Sequence, residues 1–325
     1  MRPFYLGVLF YAAAFAQPAS APFAGRWDLT LSAGNDVYPS WMEVTGKQGR
    51  PEVRVQLRTG NVQPAVAARM DGTRLIVDIP ESEAGPNGVW ELSISGGRIS
   101  GTQKTANGSA KVAGVRAPEL KREPPQAWTE PVALFNGKDL SGWEPVSNTP
   151  SSREVPGNHW TVKNGEITNQ GKGANLRTSK TFDDFKLHVE FNIPEGENSG
   201  IYLRGRYEVQ VANPRRDAGK SAPPPGASGG YRNPAGSLGS IYGYLHFPLK
   251  ESKAPGEWQA YDITLVGRMV TVILNGFKGI ENQEIQGITG GALDSNEGAP
   301  GPVYFQGDHR GGIRYRNITI SAPKR

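Results

Sequence analysis

The sequence predicts an all-β protein of two modules, a small antiparallel β-barrel or sandwich followed by a jelly-roll β-sandwich. Short segments in which polar and apolar residues alternate recur along the chain, as in RLIVDI and WELSI. Alternation with a period of two is typical of half-buried strands, and no helical periodicity of useful length occurs. The 325 residues also include 42 glycines and 26 prolines, which suits many turns between short strands.

The first residues predict a secretory signal peptide over 1–16. Arg2 precedes the apolar run FYLGVLFYAAAFA, and small residues end at Ala16, as at a cleavage site. Cleavage after residue 21 is the second choice, because Pro22 would follow the cut. The apolar run is too short for a membrane span and no other segment approaches one. The sequence therefore predicts an exported protein, periplasmic or extracellular. Since it has no cysteine, it cannot form disulfides and must depend on the size of its hydrophobic core for stability.

Composition along the rest of the chain divides it into two modules and a linker. Residues 22–118 show short alternating strands separated by Asp-Gly and Gly-Gly turns, and indicate a small β domain without evident chemistry. Residues 119–130 are rich in proline and charge and have no apolar period, so they predict a linker. Residues 131–325 carry many further strand signals and predict the jelly-roll sandwich.

The charge pattern argues against nucleic acid as a partner. The formal net charge is +5, but the basic residues are scattered and the largest clusters are Arg215–Arg216 and Lys324–Arg325. Nucleic-acid-binding proteins concentrate their basic residues in a patch or stripe. Oligomeric state is left open by the sequence.

Strand alternation gathers polar side chains that could form a site. In YEVQV, Glu208 and Gln210 lie opposite the apolar residues, and in FKLHVEFNI the same holds for Glu190. Tyr202 and Arg204 fit the polar face of the preceding strand. If these strands are neighbours, the polar groups converge on one sheet face. The alternative is a solvated face in which arginine and glutamate form cross-strand pairs.

Seven sequence blocks, in order, resemble the 3-keto-disaccharide hydrolase family over about residues 131–322. They include LFNGKDLSGW, NSGIYLRGRYEVQV, GEWQAYDITLVG and FQGDHRGGIRYRNITI. The resemblance implies a concanavalin-like jelly roll in which a concave polar sheet holds a carbohydrate. It also implies action on sugars whose C3 hydroxyl has been oxidised to a ketone.

A ketone at C3 would set the chemistry that the site must perform. It acidifies the C2 proton, so a base can form an enolate that expels the C1 substituent, and water can add afterwards. We predict Glu208 as the base, Glu190 as its partner or acid, and Arg204 as the group that stabilises the enolate. A two-carboxylate glycosidase could use the same pair directly at the anomeric carbon, and the sequence leaves both routes open.

Several further residues are candidates for the same site. His309 follows a strand in the glycine-rich FQGDHRGG, and a histidine beside a carboxylate can serve as acid or base near neutral pH. Gln306, which precedes it in that strand, could hydrogen-bond a sugar hydroxyl. Tyr202, Gln210 and Tyr242 are predicted to contact the carbohydrate.

Metal ligation and non-catalytic functions complete the expectations. No two histidines have close metal-ligand spacing, so no metal ligands are predicted, although Mg²⁺ or Ca²⁺ held by scattered carboxylates is left open as a cofactor. A lectin-like sandwich that binds carbohydrate without turnover is the main alternative, and an adhesion module is a third. Two carboxylates and an arginine on one face favour an enzyme over the lectin-like alternative, because sugar binding alone rarely needs so much charge.

Overall fold

The computed structural model describes residues 20–47, 50–82, 85–146, 157–212, 236–248 and 250–324. Within these ranges the regular elements are β-strands and one short 3-10 helix, Ala21–Phe23. This confirms the all-β prediction. The described part of the chain contains no helix long and apolar enough to cross a membrane. The predicted signal peptide lies outside the described residues.

The first module is one curled antiparallel sheet. Within the described residues its strands are β1 (Gly25–Ala33), β2 (Asp36–Lys47), β3 (Arg50–Gln56), β4 (Gln63–Pro64), β5 (Ala67–Asp71), β6 (Arg74–Ile79), β7 (Gly88–Ser95), β8 (Arg98–Thr105) and β9 (Gly108–Arg116). Their order across the sheet is β4-β3-β2-β1-β9-β8-β7-β6-β5. Strand β3 also contacts β5, so the two ends of the sheet approach each other and form an incomplete barrel. Buried apolar side chains form its core, among them Trp27, Leu29, Trp90 and Leu92.

The second module is a sandwich of two antiparallel sheets. Its described strands are β10 (Val132–Ala133), β11 (Trp143–Val146), β12 (Trp160–Lys163), β13 (Glu166–Asn169), β14 (Asn175–Thr178), β15 (Phe185–Asn192), β16 (Asn198–Leu203), β17 (Tyr207–Ala212), β18 (Trp258–Val266), β19 (Met269–Leu274), β20 (Phe277–Glu284), β21 (Tyr304–Phe305) and β22 (Arg314–Ser321). In the described residues, one sheet has the order β12-β13-β22-β15-β18-β19-β20, with β10 also paired to β22. The other has the order β11-β14-β21-β16-β17. The core lies between them, as expected for a jelly-roll sandwich.

Strand β17 is buried on both of its faces. Tyr207, Val209 and Val211 pack into the sandwich core, as their alternation predicts. Glu208 and Gln210 lie on the opposite face, yet only 4% and 2% of their surface is exposed. A polar face that is this well buried is not a solvated sheet face, so another part of the chain must cover it.

The first module supplies part of that cover. Trp41 of β2 packs with Ile288 and Ala292 of the second module in a small apolar cluster. Beside it the two backbones nearly touch, because a Cβ atom added at Gly290 would lie 2.5 Å from the carbonyl oxygen of Gly60. The modules therefore meet closely next to the outer face of β17.

Two acidic side chains are buried where the modules meet, and they predict a pH-dependent stability. Asp28 of β1 and Glu297 are 3% and 0% exposed. Burial, and then the proximity of Glu297, raise the pKa of Asp28 to about 9. The folded protein thus holds a proton that the unfolded chain releases above its ordinary pKa, so stability falls as the pH rises toward 9.

We expect Asp28→Asn to flatten this decline, because a neutral carboxamide has no proton to lose. Thermal unfolding of both proteins across the alkaline range measures the effect. Asp71→Asn is the control, since the side chain of Asp71 is 59% exposed and its neutralisation should leave the slope unchanged. An equal decline in wild type and Asp28→Asn would contradict the prediction.

Candidate functional site

A cavity of about 290 Å³ lies on the outer face of the five-stranded sheet, against the first module. Strands β16 and β17 form its floor, and the segment after β21 forms one wall. Thr59 and Gly60 of the first module form another wall, opposite the backbone of Gly290 and Gly291. The cavity is therefore shared between the modules. The side chains that line it are those of Asn198, Tyr202, Glu208, Gln210, Tyr242, Gln306, Asp308 and His309, together with Thr59.

Glu208 is the buried acid of this cavity. Its carboxylate oxygen Oε2 lies 3.0 Å from the Tyr202 hydroxyl, which also lies 2.8 Å from the carbonyl oxygen of Gly290. Burial raises the pKa of Glu208 to about 8; the Tyr202 hydrogen bond opposes the shift, and the charge of Asp308 adds to it. A carboxyl with a pKa near 8 can hold or release a proton close to neutral pH, as general acid-base chemistry requires.

The contacts of Tyr202 allow both protonation states of Glu208. A protonated Glu208 can donate to the Tyr202 oxygen while Tyr202 donates to the Gly290 carbonyl, which accounts for both short distances. An ionised Glu208 can instead accept the Tyr202 proton. Burial first, and the nearby Glu208 charge second, raise the pKa of Tyr202 well above its ordinary value, so the tyrosine stays a neutral hydroxyl throughout.

Gly200 gives the Glu208 side chain its space. The register of β16 and β17 places Gly200 opposite Gln210. A Cβ atom at Gly200 would lie 2.2 Å from Oε1 of Glu208 and 2.8 Å from its carboxyl carbon. The absence of a side chain at this strand position therefore sets where the carboxyl group lies.

A chain of hydrogen bonds fixes the tautomer of His309. The Gln210 amide donates to Oδ1 of Asn198 over 2.6 Å. The Asn198 amide in turn lies 3.0 Å from Nε2 of His309. Since the Asn198 nitrogen can only donate, Nε2 must accept, and neutral His309 carries its proton on Nδ1. Asp308 Oδ1 lies 3.8 Å from the same Nε2, beyond hydrogen-bonding distance.

Three buried acceptor atoms around the cavity have no hydrogen-bond partner among the described residues. They are Oε1 of Gln210, Oε1 of Gln306 and Oδ1 of Asp308. Leaving a buried acceptor unpaired costs about 1–3 kcal/mol, so such atoms are rare in folded proteins and call for an explanation. Hydroxyl groups of a bound ligand would satisfy all three.

Two of the predicted site residues do not reach the cavity, so the expected convergence with Glu208 is wrong for both. Glu190 belongs to β15, in the other sheet, and accepts hydrogen bonds from Arg316 over 2.7 Å and Asn317 over 2.6 Å. Arg204 lies in the turn between β16 and β17 with a φ of +53°, which breaks the strand alternation. Its fully buried guanidinium donates to Asp183 and other groups away from the cavity.

The structure places the other predicted residues around the cavity. These are Tyr202, Glu208, Gln210, Tyr242, Gln306 and His309. Their chemical roles stay predictions. Sequence reasoning missed Asn198 and Asp308, although Asn198 shares the parity of Tyr202 in β16 and Asp308 directly precedes His309. It also missed Thr59 and Gly60, for which no pattern in the first module gave a signal.

No group of three or more histidine, cysteine, aspartate or glutamate side chains is placed to hold a metal ion in the described ranges. The Mg²⁺ or Ca²⁺ ion that the sequence left open therefore gains no ligand set from the residues that the structure describes.

Double-sheet jelly rolls of this kind include lectin domains. A family model described as the 3-keto-alpha-glucoside-1,2-lyase-like domain matches residues 130–321. The chain belongs to this family, which confirms the resemblance of the sequence blocks.

Solved structures with similarity to the chain include two candidate glycosyl hydrolases from Parabacteroides distasonis. One is 28% identical, with a TM-score of 0.46, and the match covers 62% of this chain and 93% of that one. The second is 21% identical, with a TM-score of 0.44, over 60% and 93% of the two chains. A Bacillus subtilis protein of unknown function with a galectin-like fold is 12% identical, with a TM-score of 0.32, over 62% and 99%. The comparison with curated proteins gives no match.

Proposed function

We propose that the protein is an exported enzyme that cleaves 3-keto-glycosides by elimination, followed by addition of water. The observation that carries the proposal is Glu208, a buried carboxyl with a pKa of about 8 in a cavity lined by unpaired acceptors. A site that only binds a neutral sugar has no need of a buried acid of this kind. Export rests on the predicted signal peptide, residues 1–16.

In the proposed reaction Glu208 removes the proton from C2 of the oxidised sugar. The electron pair of the C2–H bond forms an enolate, whose negative charge lies on the C3 oxygen. The enolate then collapses: the C3–O double bond re-forms, the electron pair of the C2–C3 double bond forms a C1–C2 double bond, and the C1–O bond breaks. Water adds across that double bond and yields the free 3-keto-sugar. Each step conserves atoms and electrons and needs no redox partner.

Other residues around the cavity fit the remaining roles. With Arg204 outside the cavity, the C3 oxygen must accept hydrogen bonds from carboxamide N–H groups, for which Gln306 and Gln210 are the candidates. His309, whose proton lies on Nδ1, is our candidate acid for the departing oxygen. The unpaired oxygens of Gln306, Gln210 and Asp308 would accept hydrogen bonds from the remaining sugar hydroxyls.

Incubation of the protein with a 3-keto-disaccharide, and separately with the unoxidised disaccharide, tests the proposal. We expect release of free 3-keto-glucose from the oxidised sugar alone. Cleavage of both sugars would replace elimination by direct glycosidase chemistry. Binding without cleavage of either sugar would favour a lectin-like function.

Direct hydrolysis is the second candidate, and Asp308 is the observation in its favour. Glu208 and Asp308 line the same cavity, and the charge of Asp308 contributes to the raised pKa of Glu208. Glycosidases usually use a pair of carboxyl groups, one protonated and one ionised. This pair replaces the pair of Glu208 and Glu190 that the sequence suggested.

The pH dependence of the rate separates the two candidates. If Glu208 is the base, kcat/KM for the 3-keto-disaccharide should rise about tenfold per pH unit below pH 8 and level off above it, because only the carboxylate can take the C2 proton. If Glu208 is the acid of a glycosidase, the rate should fall above pH 8. A profile without any transition near 8 would contradict both assignments.

A further inference from the structure

A second and larger cavity, about 550 Å³, lies in the first module and has a different lining from the site described above. It lies at one end of the incomplete barrel, beside the β1–β2 and β8–β9 turns. Its deeper surface is apolar, with Leu31, Leu57, Ile79 and Trp90, and its mouth carries the carboxamide and hydroxyl groups of Gln103, Thr105, Asn107 and Ser109. Ligand pockets usually fall between about 300 and 1,000 Å³ and combine an apolar lining with a few polar groups.

Trp90 supplies independent evidence for a ligand. Its side chain is fully buried and lines the cavity, yet its indole Nε1 has no hydrogen-bond acceptor among the described residues. A buried tryptophan usually finds such an acceptor. In the same module Nε1 of Trp27 donates to the carbonyl oxygen of Phe23 over 2.7 Å, whereas Nε1 of Trp41 is unpaired among the described residues like that of Trp90, but Trp41 does not line this cavity. Trp90 therefore brings to the wall of this cavity an indole N–H group without an acceptor among the described residues.

The charges at the cavity indicate a neutral ligand. Arg58 and Asp36 both line it, but they form an ion pair with each other over 2.5 Å. The Arg58 guanidinium also lies 4.8 Å from the ring centre of Tyr38, whose hydroxyl donates to Gln103 over 3.2 Å. What remains is an aromatic and apolar interior with neutral hydrogen-bonding groups at the mouth, which suits the apolar ring face and the hydroxyl rim of a sugar.

We propose that this cavity binds a neutral sugar unit, with a sugar oxygen accepting a hydrogen bond from Nε1 of Trp90. The proposal does not depend on the chemistry proposed for Glu208. The segment from Leu57 to Gly60 joins the two cavities, since Leu57 and Arg58 line this one and Thr59 and Gly60 line the other. Four extended residues span at most about 11 Å, so the walls of the two cavities lie close together.

The indole N–H resonances of the ¹⁵N-labelled full chain test the proposal directly. The seven tryptophans give separate indole signals, and the signal of Trp90 is the one lost in Trp90→Phe. Titration with cellobiose, a neutral disaccharide, should move that signal downfield in a saturable manner. The Trp27 signal is the internal control and should stay in place, because its N–H group already has an acceptor.

A blocking variant keeps the test independent of any effect of Trp90→Phe on folding. Ser109 is an exposed residue at the mouth of the cavity, and Ser109→Phe should abolish the shift of the Trp90 signal while leaving the other indole signals unchanged. A Trp90 signal whose chemical shift does not change with added cellobiose would overturn the proposal. So would a signal that moves equally in Ser109→Phe, or one that responds to glucuronate but not to cellobiose.

Discussion

Replacement of Glu208 by glutamine should lower kcat/KM for a 3-keto-disaccharide by about 10²–10⁴-fold, the usual contribution of a general acid or base. The introduced carboxamide matches the shape of the protonated carboxyl. It can donate to the Tyr202 oxygen while Tyr202 donates to the Gly290 carbonyl. Substrate binding should therefore persist while proton transfer is lost. Steady-state kinetics, together with calorimetric binding of the substrate to the variant, measure both effects.

Glu190→Gln is the matched control for this loss. It makes the same chemical change in the other sheet, at a carboxylate bound by Arg316 and Asn317. We expect its kcat/KM to stay close to that of the wild type. Equal losses in the two variants, or a Glu208→Gln variant that stays within a few fold of wild type, would remove Glu208 from its proposed role.

The stability of Glu208→Gln distinguishes the loss of a proton-transfer group from damage to the fold. The pKa of Glu208 is raised to about 8 from an ordinary 4.5, so the folded protein retains a proton that the unfolded chain gives up. Folding is therefore opposed increasingly as the pH rises from 4.5 to 8, by a total on the order of 4 kcal/mol. Glu208→Gln should be inactive and yet more stable than wild type above pH 8.

Gly200→Ala is expected to have the second-largest effect, a loss of about 10²-fold in kcat/KM. The added methyl group would lie within 2.8 Å of three atoms of the Glu208 side chain, so the carboxyl group must move. Displacement of a catalytic group by about 1 Å can cost a factor of this size. The measurement is kcat/KM at a pH above 8, where Glu208 is ionised, together with the thermal midpoint.

Gly298→Ala provides the comparison for Gly200→Ala. The nearest atom to a Cβ at Gly298 is Cγ of Pro118 at 3.6 Å, an ordinary contact. This variant should keep its activity. Full activity of Gly200→Ala would show that the carboxyl position is not set by the space at Gly200.

Local alternation predicted the face of Glu208 and Gln210 correctly, because side-chain direction within one strand depends only on the strand itself. The position of Glu190 could not be predicted in that way. Its strand alternates just as clearly, but β15 joins the other sheet, and sheet membership depends on contacts between distant parts of the chain. The prediction for Arg204 was wrong for a local reason. Arg204 itself has a left-handed backbone conformation in the turn before β17, which ends the strand alternation.

The burial of the site was beyond the reach of sequence patterns. The alternation predicts that Glu208 and Gln210 lie in a half-exposed strand, whereas segments of the second module and the docked first module together cover both residues. The first module showed no chemistry in its sequence, since Thr59 and Gly60 belong to a connection and not to a periodic element. Their proximity to Gly290 comes from a backbone contact that no side-chain pattern encodes.

The close approach of Gly60 and Gly290 links the proton affinity of Glu208 thermodynamically to the association of the two modules. Part of the cover over Glu208 is provided by the first module, so separation of the two modules would let water reach the carboxyl and return its pKa toward the ordinary value. Docking must then take up protons between the two pKa values, and its equilibrium constant must fall as the solution becomes alkaline. By excluding water from one side of the cavity, the first module thus contributes to the raised pKa of a carboxyl group that belongs to the other module.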